Sequence, residues 1–339
     1  MTSRSLWKLL RTGRLRLLLG AMRLAPPFYR LVWLAGALRH GVLARLRKQP
    51  VPLERLVAEI APGEGGADAL EAWLRVGERL GELGSGPDGW RLRGFLARQL
   101  ADPENDDLAA MLEETATLHH ALLLDTPERL RRGELWSLSD QDGTVIARSS
   151  RVVEFAVFDA IDALFPSSGP VRLLEIGCGS GTYMRHAAER NPELSALGLE
   201  LQPAVAEAAT ANLRTWGLEA RTQVEKGDVR ERVPERVFDI VTLHNNIYYF
   251  PVEERVTLIR QLRHFLRPGG RLVLTTGCRG GSPTMHLLDL WSASTRGCGR
   301  LPEPAELEGQ LREAGLSSVI SRRLTPGESY FAFAGDEPA

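Results

Sequence analysis

The sequence predicts an α/β fold in which a doubly wound parallel sheet follows a mainly helical domain. Three observations predict it. Beyond Gly169, short apolar runs alternate with amphipathic helical patterns, and that alternation lays helices on both faces of a parallel sheet. Ahead of it, helical patterns succeed one another with Pro and Gly at each join and a single hairpin-like segment. The chain's 339 residues also exceed the usual size of one domain, so two are expected, residues 1–150 and 151–339.

With 43% apolar residues, 25% charged residues and a net charge of -1, the composition is that of an ordinary globular protein, without global bias toward nucleic acid or membrane. Cys178, Cys278 and Cys298 are odd in number and lack CxxC spacing. They point to neither a disulfide framework nor zinc, and a reducing, cytoplasmic setting fits them. No metal-binding constellation is apparent.

No Asp or Glu precedes Glu54, while Arg and Lys recur throughout that segment. Arg11, Arg14, Arg16 and Arg23 interrupt LRTGRLRLLLGAMRLA, which excludes the apolar core of a signal peptide and a spanning helix. The segment is expected to form a pair of amphipathic helices packing a Leu, Trp and Val stripe on the body or on a second copy. Contact with a membrane surface is the alternative.

ALRHGVLARL, PVPLERLVAEI and ALEAWLRVGERLGELG read as successive helices, and GSGPDGWRLRG as a turn within a hairpin. The order helix, helix, helix, Gly-rich wing resembles a winged helix, whose usual meaning is DNA binding. The third helix, however, sets Glu71, Glu78 and Glu82 against Arg75 and Arg79, and a mixed, mildly acidic face is a poor ligand for phosphate. This half is therefore read as an oligomerisation and substrate-lid module with no nucleic acid as partner, and a winged-helix nucleic-acid-binding regulator stands as the third alternative. His119 and His120 in ATLHHALLL are assigned to a helix at the domain interface.

Residues 102–145 are rich in turn formers and charge, and RVVEFAVFDAIDALF then reads as a linker helix ending at Pro166. Just before it, Arg148, Ser149, Ser150 and Arg151 offer a guanidinium fork and a helix N-terminus to a carboxylate; the plainer reading is a Ser N-cap among solvated arginines. VRLLEIG, ALGLEL, RTQVEKG, FDIVTL and RLVLTTG are the strands that follow. Ligands of such sheets sit at the strands' carboxyl ends.

At the first of these ends stands EIGCGSGTY. Gly177, Gly179 and Gly181 permit a tight turn and close approach to a ligand. Their GxGxG spacing is neither the GxGxxG of dinucleotide binders nor a phosphate loop. The next strand ends at Glu200 and Leu201 in GLELQP, where a carboxylate can accept both hydroxyls of a ribose.

From residue 171 to about 335 the sequence resembles the class I S-adenosylmethionine-dependent methyltransferases. EIGCGSGT matches their first motif, KGDV the turn that holds adenine, and LRPGGRLVLT the approach to the fifth strand. The resemblance implies a Rossmann-like, seven-stranded methyltransferase core with S-adenosyl-L-methionine as cofactor. It places Glu175, the 177–181 loop and Tyr183 at the methionine end, Glu200 and Leu201 at the ribose, and Asp228 and Val229 at the adenine. Arg148 and Ser150 are added as contacts for the methionine carboxylate. The winged-helix-like half extends the resemblance to small-molecule O-methyltransferases of secondary metabolism, which implies a homodimer formed through that half.

The fourth strand runs into HNNIYYFP. A strand tip crowded with polar and aromatic side chains is costly unless it faces a pocket. In the resembling O-methyltransferases this tip carries a His that acts as general base, and Tyr248 takes its place here. A Tyr of ordinary pKa near ~10 is a poor base. His244, Asn245 and Tyr248 are the candidate catalytic residues, and an amine or carbon nucleophile is expected, because an amide oxygen accepts from an amine and an aromatic face attracts a cation. A second reading resembles the azetidine-2-carboxylate synthases, in which the cofactor's own α-amino group closes a ring and methylthioadenosine leaves. Between the fifth strand and the final pair, Met285, His286, Asp289 and Trp291 lie in a Gly-rich segment read as a lid or acceptor pocket, with Met285 and Trp291 as core.

Overall fold

The alternation beyond Gly169 becomes a seven-stranded sheet in the computed structural model, which describes Trp7 and residues 11–339. The chain divides into two compact units. One comprises residues up to His120 together with Gly143–Val152, and the other comprises Ala121–Asp142 with Val153–Ala339. The chain passes between the units after His120, after Asp142 and after Val152. Residues 121–142 cluster with the sheet, where the Trp136 N–H donates to the Ser294 carbonyl at 2.8 Å.

In the first unit the described part of the segment before Glu54 is occupied mostly by one long helix, α1 (Arg14–Arg39); residues 1–6 and 8–10 lie outside the described residues. The helix runs through Pro26 and Pro27, forgoing the hydrogen bonds their missing N–H groups would make. It carries no amphipathic stripe over its first half, since Leu17, Leu19, Met22, Leu24, Phe28 and Tyr29 are all exposed. Its end is buried through Trp33 and Leu34. Helices α2 (Val42–Leu46), α3 (Leu53–Ile60) and α4 (Gly66–Arg79) follow, then the antiparallel hairpin β1 (Leu83–Gly86) and β2 (Gly89–Leu92). This is the helix, helix, helix, wing order. On α4, Glu71 and Glu78 are tied to Arg75. Glu82 does not share that face: it is fully buried beyond the helix end, paired with Arg30 and accepting the Ala97 N–H of α5 (Phe95–Leu100).

Helix α6 (Asp106–Glu114) continues through a π-helical turn, Thr115–His119, into α7 (His120–Arg131). His119 meets Glu114 at 3.2 Å, and the His120 ring lies 5.8 Å from Phe28. Helix α8 (Gly143–Ser149) closes the first unit.

The second unit begins its α/β part with α9 (Glu154–Leu164), β3 (Val171–Ile176), α10 (Thr182–Arg190), β4 (Leu194–Glu200) and α11 (Pro203–Thr215). It continues with β5 (Thr222–Lys226), β6 (Phe238–His244), α12 (Arg255–Arg263), β7 (Leu266–Gly277) and α13 (Pro283–Ser294), and ends with α14 (Pro304–Glu313), β8 (Ser317–Arg323) and β9 (Tyr330–Asp336). The sheet order is β5-β4-β3-β6-β7-β9-β8, parallel except where β9 pairs with β7 and β8. Strand side chains alternate between faces. Leu173, Ile240 and Val273 pack under α9 and α10, whereas Leu174, Val241 and Leu274 pack under α12 and α14. Asp239 holds the start of β6 by accepting the Arg172 N–H at 2.7 Å and pairing with Arg267, the structural role its position implies. Among the described residues no helix is long and apolar enough to cross a membrane, and no group of three or more His, Cys, Asp or Glu could hold a metal.

Trp33 stacks on Trp73 with ring centroids 4.9 Å apart, directly over Gly77. A Cβ at Gly77 would lie 2.1 Å from the Trp33 ring. Gly77→Ala ordinarily gains helix propensity, but here overpacking opposes it by about 1–3 kcal/mol. Thermal unfolding of Gly77→Ala is expected to show a lowered midpoint; a raised midpoint would contradict this packing.

Candidate active site

The carboxyl ends of β3, β4, β6 and β7 converge on one loop. Gly177, Gly179 and Gly181 all have positive φ, and Gly181 opens α10. At Gly177 the requirement is also steric, since a Cβ there would lie 2.5 Å from the Asn246 side-chain nitrogen. That nitrogen donates to the Ile176 carbonyl at 2.8 Å. Asn246 therefore staples the tip of β6 to the glycine loop, a role the sequence did not single out.

Glu200 braces the loop from the other side. Its carboxylate accepts the Gly179 N–H at 3.1 Å and the Gln202 N–H at 3.0 Å. Leu201, beside it, is exposed. Asp228 accepts the Arg230 N–H at 2.9 Å and pairs with its guanidinium, which holds the Asp228 carboxyl below its usual pKa. The buried Val229 gives its carbonyl to the Gln261 side chain. The glycine loop, Glu200 and Asp228 thus stand at or just beyond the carboxyl ends of β3, β4 and β5.

The tip of β6 is a buried polar knot. His244 Nδ1 lies 2.9 Å from Thr275 Oγ1, while Nε2 is buried with no partner. Desolvation pushes the imidazole pKa down to about 3, so His244 is neutral and a weak base. Asn245 adopts φ 56°, donates its backbone N–H to the Thr275 carbonyl at 2.7 Å, and accepts the Tyr330 hydroxyl at 2.8 Å through Oδ1. Tyr183, half-buried, sets its ring edge 5.1 Å from His244 and its hydroxyl within reach of the Asn245 side chain. Burial raises both phenols, Tyr330 to about 12. Left-handed backbone at a non-glycine residue is strain of the kind that concentrates at functional sites.

Glu175 lies one turn deeper. Its Oε1 is fully buried without a partner, and desolvation raises the carboxyl pKa to about 8. Tyr248 belongs to a different group: its ring packs 5.1 Å from Tyr249 and 6.2 Å from Trp291, and its carbonyl accepts the Gly299 N–H. The fully buried Arg255 secures that turn by donating to the carbonyls of Phe250 and Arg300. Met285 and Trp291 pack as core, and Asp289 is paired with Arg300.

Arg148 and Ser150 belong to the first unit. The Arg148 guanidinium binds both oxygens of Asp106 at 2.7–3.1 Å. Ser150 does not cap a helix. The following helix starts at Glu154 with Val153 as its cap, and the Ser150 hydroxyl donates back to the Ala147 carbonyl at 3.1 Å. Ser and Arg before an apolar run resemble an N-cap in sequence, but α8 and a 3₁₀ turn already occupy these residues. Thr275 and Tyr330 were missed because they sit inside strands that read as apolar; the doubled Thr at the end of RLVLTTG was the available signal.

Residues 174–272 match the family model described as a methyltransferase domain. Residues 174–272 thus carry a methyltransferase domain. The chain is 28% identical over 168 residues to a trans-aconitate 2-methyltransferase of Methylobacterium radiotolerans, covering 50% of this chain and 58% of that one. Over the first curated relatives it spans 45% to 63% of their own length. Among solved structures, the mitomycin 7-O-methyltransferase MmcR superposes with a TM-score of 0.78 at 19% identity, covering 96% of this chain and 99% of that one. Human N-acetylserotonin methyltransferase in complex with S-adenosylmethionine gives 0.73 at 17%, covering 96% and 98%. At these identities the likeness establishes the fold.

The two buried groups have opposite pH signatures. Glu175 keeps its proton to about pH 8 when folded but loses it near 4.5 when unfolded. Its contribution is therefore fully present below pH 4.5 and lost as pH rises toward 8, by about 1.4 kcal/mol per pH unit at most. His244, neutral down to about 3 against 6.5 unfolded, loses stability as pH falls below 6.5. From pH 6.5 to 8 the Glu175 effect stands clear of the His244 effect. The thermal midpoint is expected to fall across that window, and Glu175→Gln to flatten the fall; parallel slopes in both proteins would contradict the assignment.

Proposed function

We propose that this chain is an S-adenosylmethionine-dependent enzyme that transfers a methyl group to a small molecule of the secondary-metabolism type. The observation that carries the reading is the loop 177–181, pinned between Glu200 and Asn246 at the carboxyl ends of three strands. A bound cofactor supplies a methyl carbon already activated by its sulfonium. Glu200 would take the ribose hydroxyls, Asp228 and Val229 the adenine, and the loop with Glu175 and Tyr183 the methionine end. The chain's own task is then alignment, which is worth about 7–11 kcal/mol when two reactants are held in register.

An amine or carbon nucleophile suits this site better than a hydroxyl needing a protein base. His244 is buried, tied to Thr275 and held neutral, and Tyr248 faces Tyr249 and Trp291. Asn245 is the residue assigned to orient the nucleophile. The exposed leucines of α1 suit a second copy as partner, and the three free cysteines suit a reducing, cytoplasmic setting.

Product analysis with the cofactor and a panel of amines and phenols tests the reading. S-adenosylhomocysteine formed with amines is expected; formation with phenols only would overturn the nucleophile assignment, and methylthioadenosine without any acceptor would indicate ring closure instead. Glu200→Ala is expected to weaken cofactor binding tenfold or more, while Asn245→Ala lowers kcat and leaves cofactor affinity nearly unchanged. Small, equal effects from both would count against this site.

A further inference from the structure

A cavity of about 470 Å³ lies among the helices of the first unit, within the range of pockets that hold small molecules. Its lining includes Leu34 of α1, which is buried in that unit's core. Leu80 at the end of α4, Leu96 on α5 and Leu112 on α6 also line it, and each packs on the core while staying only half-buried. Pro26 and Pro27 add the wall along α1. A proline ring has no rotamer freedom to lose, so this wall is rigid before anything binds. Rigidity of that kind lowers the cost of taking up a ligand.

Two cations, Arg30 and Arg79, stand in this apolar lining, and no acid does. Arg30 is already engaged by Glu82. Glu82 is fully buried and also accepts the Ala97 N–H at 2.9 Å, so its capacity is spent on contacts within the unit. Arg79, exposed in the last turn of α4, has no hydrogen bond or ion pair among the described residues. The other acids near it on α4 are taken, because Glu71 and Glu78 both bind Arg75. The lining therefore carries one uncompensated positive charge. A planar guanidinium presents paired N–H donors that match a carboxylate. A phosphate monoester, with a charge of about −1.5 to −2, would overshoot that single charge and be repelled by the nearby Glu82 carboxylate.

We propose that this cavity is a binding site for an apolar monocarboxylic acid, with the hydrocarbon body against the leucines and prolines and the carboxylate on Arg79. The inference goes beyond the methyl-transfer reading and does not depend on it. Burial of apolar surface supplies most of the affinity, whereas an exposed ion pair adds little. Arg79 accordingly selects the head group more than it holds the ligand.

Calorimetry on the full chain with octanoate, octanol and acetate tests the site. Octanoate is expected to bind about fivefold more tightly than octanol, and acetate, which has no body to bury, is expected not to bind measurably. Arg79→Gln, at an exposed position, should remove the preference for octanoate and leave octanol affinity unchanged. Leu112→Trp places bulk in the cavity and should weaken both ligands about tenfold or more, with circular dichroism confirming the fold. Should that variant fail to fold, Leu96→Trp makes the same test from α5. The inference is overturned if octanoate does not bind, if octanol matches it in the natural protein, or if neither the charge variant nor the bulk variant changes its affinity. Sedimentation supplies the remaining arm: if octanoate binds only as a dimer splits, the cavity belongs to a second copy of the chain and the inference falls.

Discussion

The second unit's site depends on the contact between Gly177 and Asn246. Only hydrogen fits at the Gly177 Cα, and the Asn246 amide fills the space while bonding to the Ile176 carbonyl. This one contact fixes the loop relative to the tip of β6. Glu200 then holds the loop from β4, and Thr275 holds the tip from β7. If the staple were lost, the loop would still be held on its other side, by Leu199 at Cys178, Glu200 at Gly179 and Asn212 at Ser180, but its tie to the tip of β6 would go.

Around that contact, burial divides the labour among residues that look alike in sequence. Glu200 keeps two backbone donors, whereas Glu175 has nothing for one oxygen and holds its proton to about pH 8. Such separation of neighbouring titratable groups by environment is how a single site accommodates distinct tasks. The same applies to the aromatic pair. Tyr330 is bonded into the polar knot, while Tyr248 faces Trp291 and contributes shape.

Much of this was legible in the sequence because its signals are local. Strand and helix alternation, GxGxG and an acid at the next strand end are all read within about thirty residues, as is the order of helices before the wing. What escaped was set by distance or by pairing. Asn245 was singled out and its neighbour Asn246 was not, yet while Asn245 turned left-handed toward β9, Asn246 reached back to β3. Tyr330 and Thr275 lie in strands whose apolar neighbours conceal them. Arg148 and Ser150 carried the right chemistry for a carboxylate but were engaged by Asp106 and Ala147. Pro26 and Pro27 lie inside α1, and the helix continues through them.

The antiparallel arrival of β9 has a temporal consequence. The brace from Glu200 to Gly179 spans 21 residues and the staple from Asn246 to Ile176 spans 70, but Tyr330 meets Asn245 across 85. Long-range closures form late, because loop entropy must be overcome before the contact rewards it. The glycine loop can therefore take its shape before the contact of Tyr330 with Asn245 closes, so the two sides of the candidate site mature separately as the chain folds.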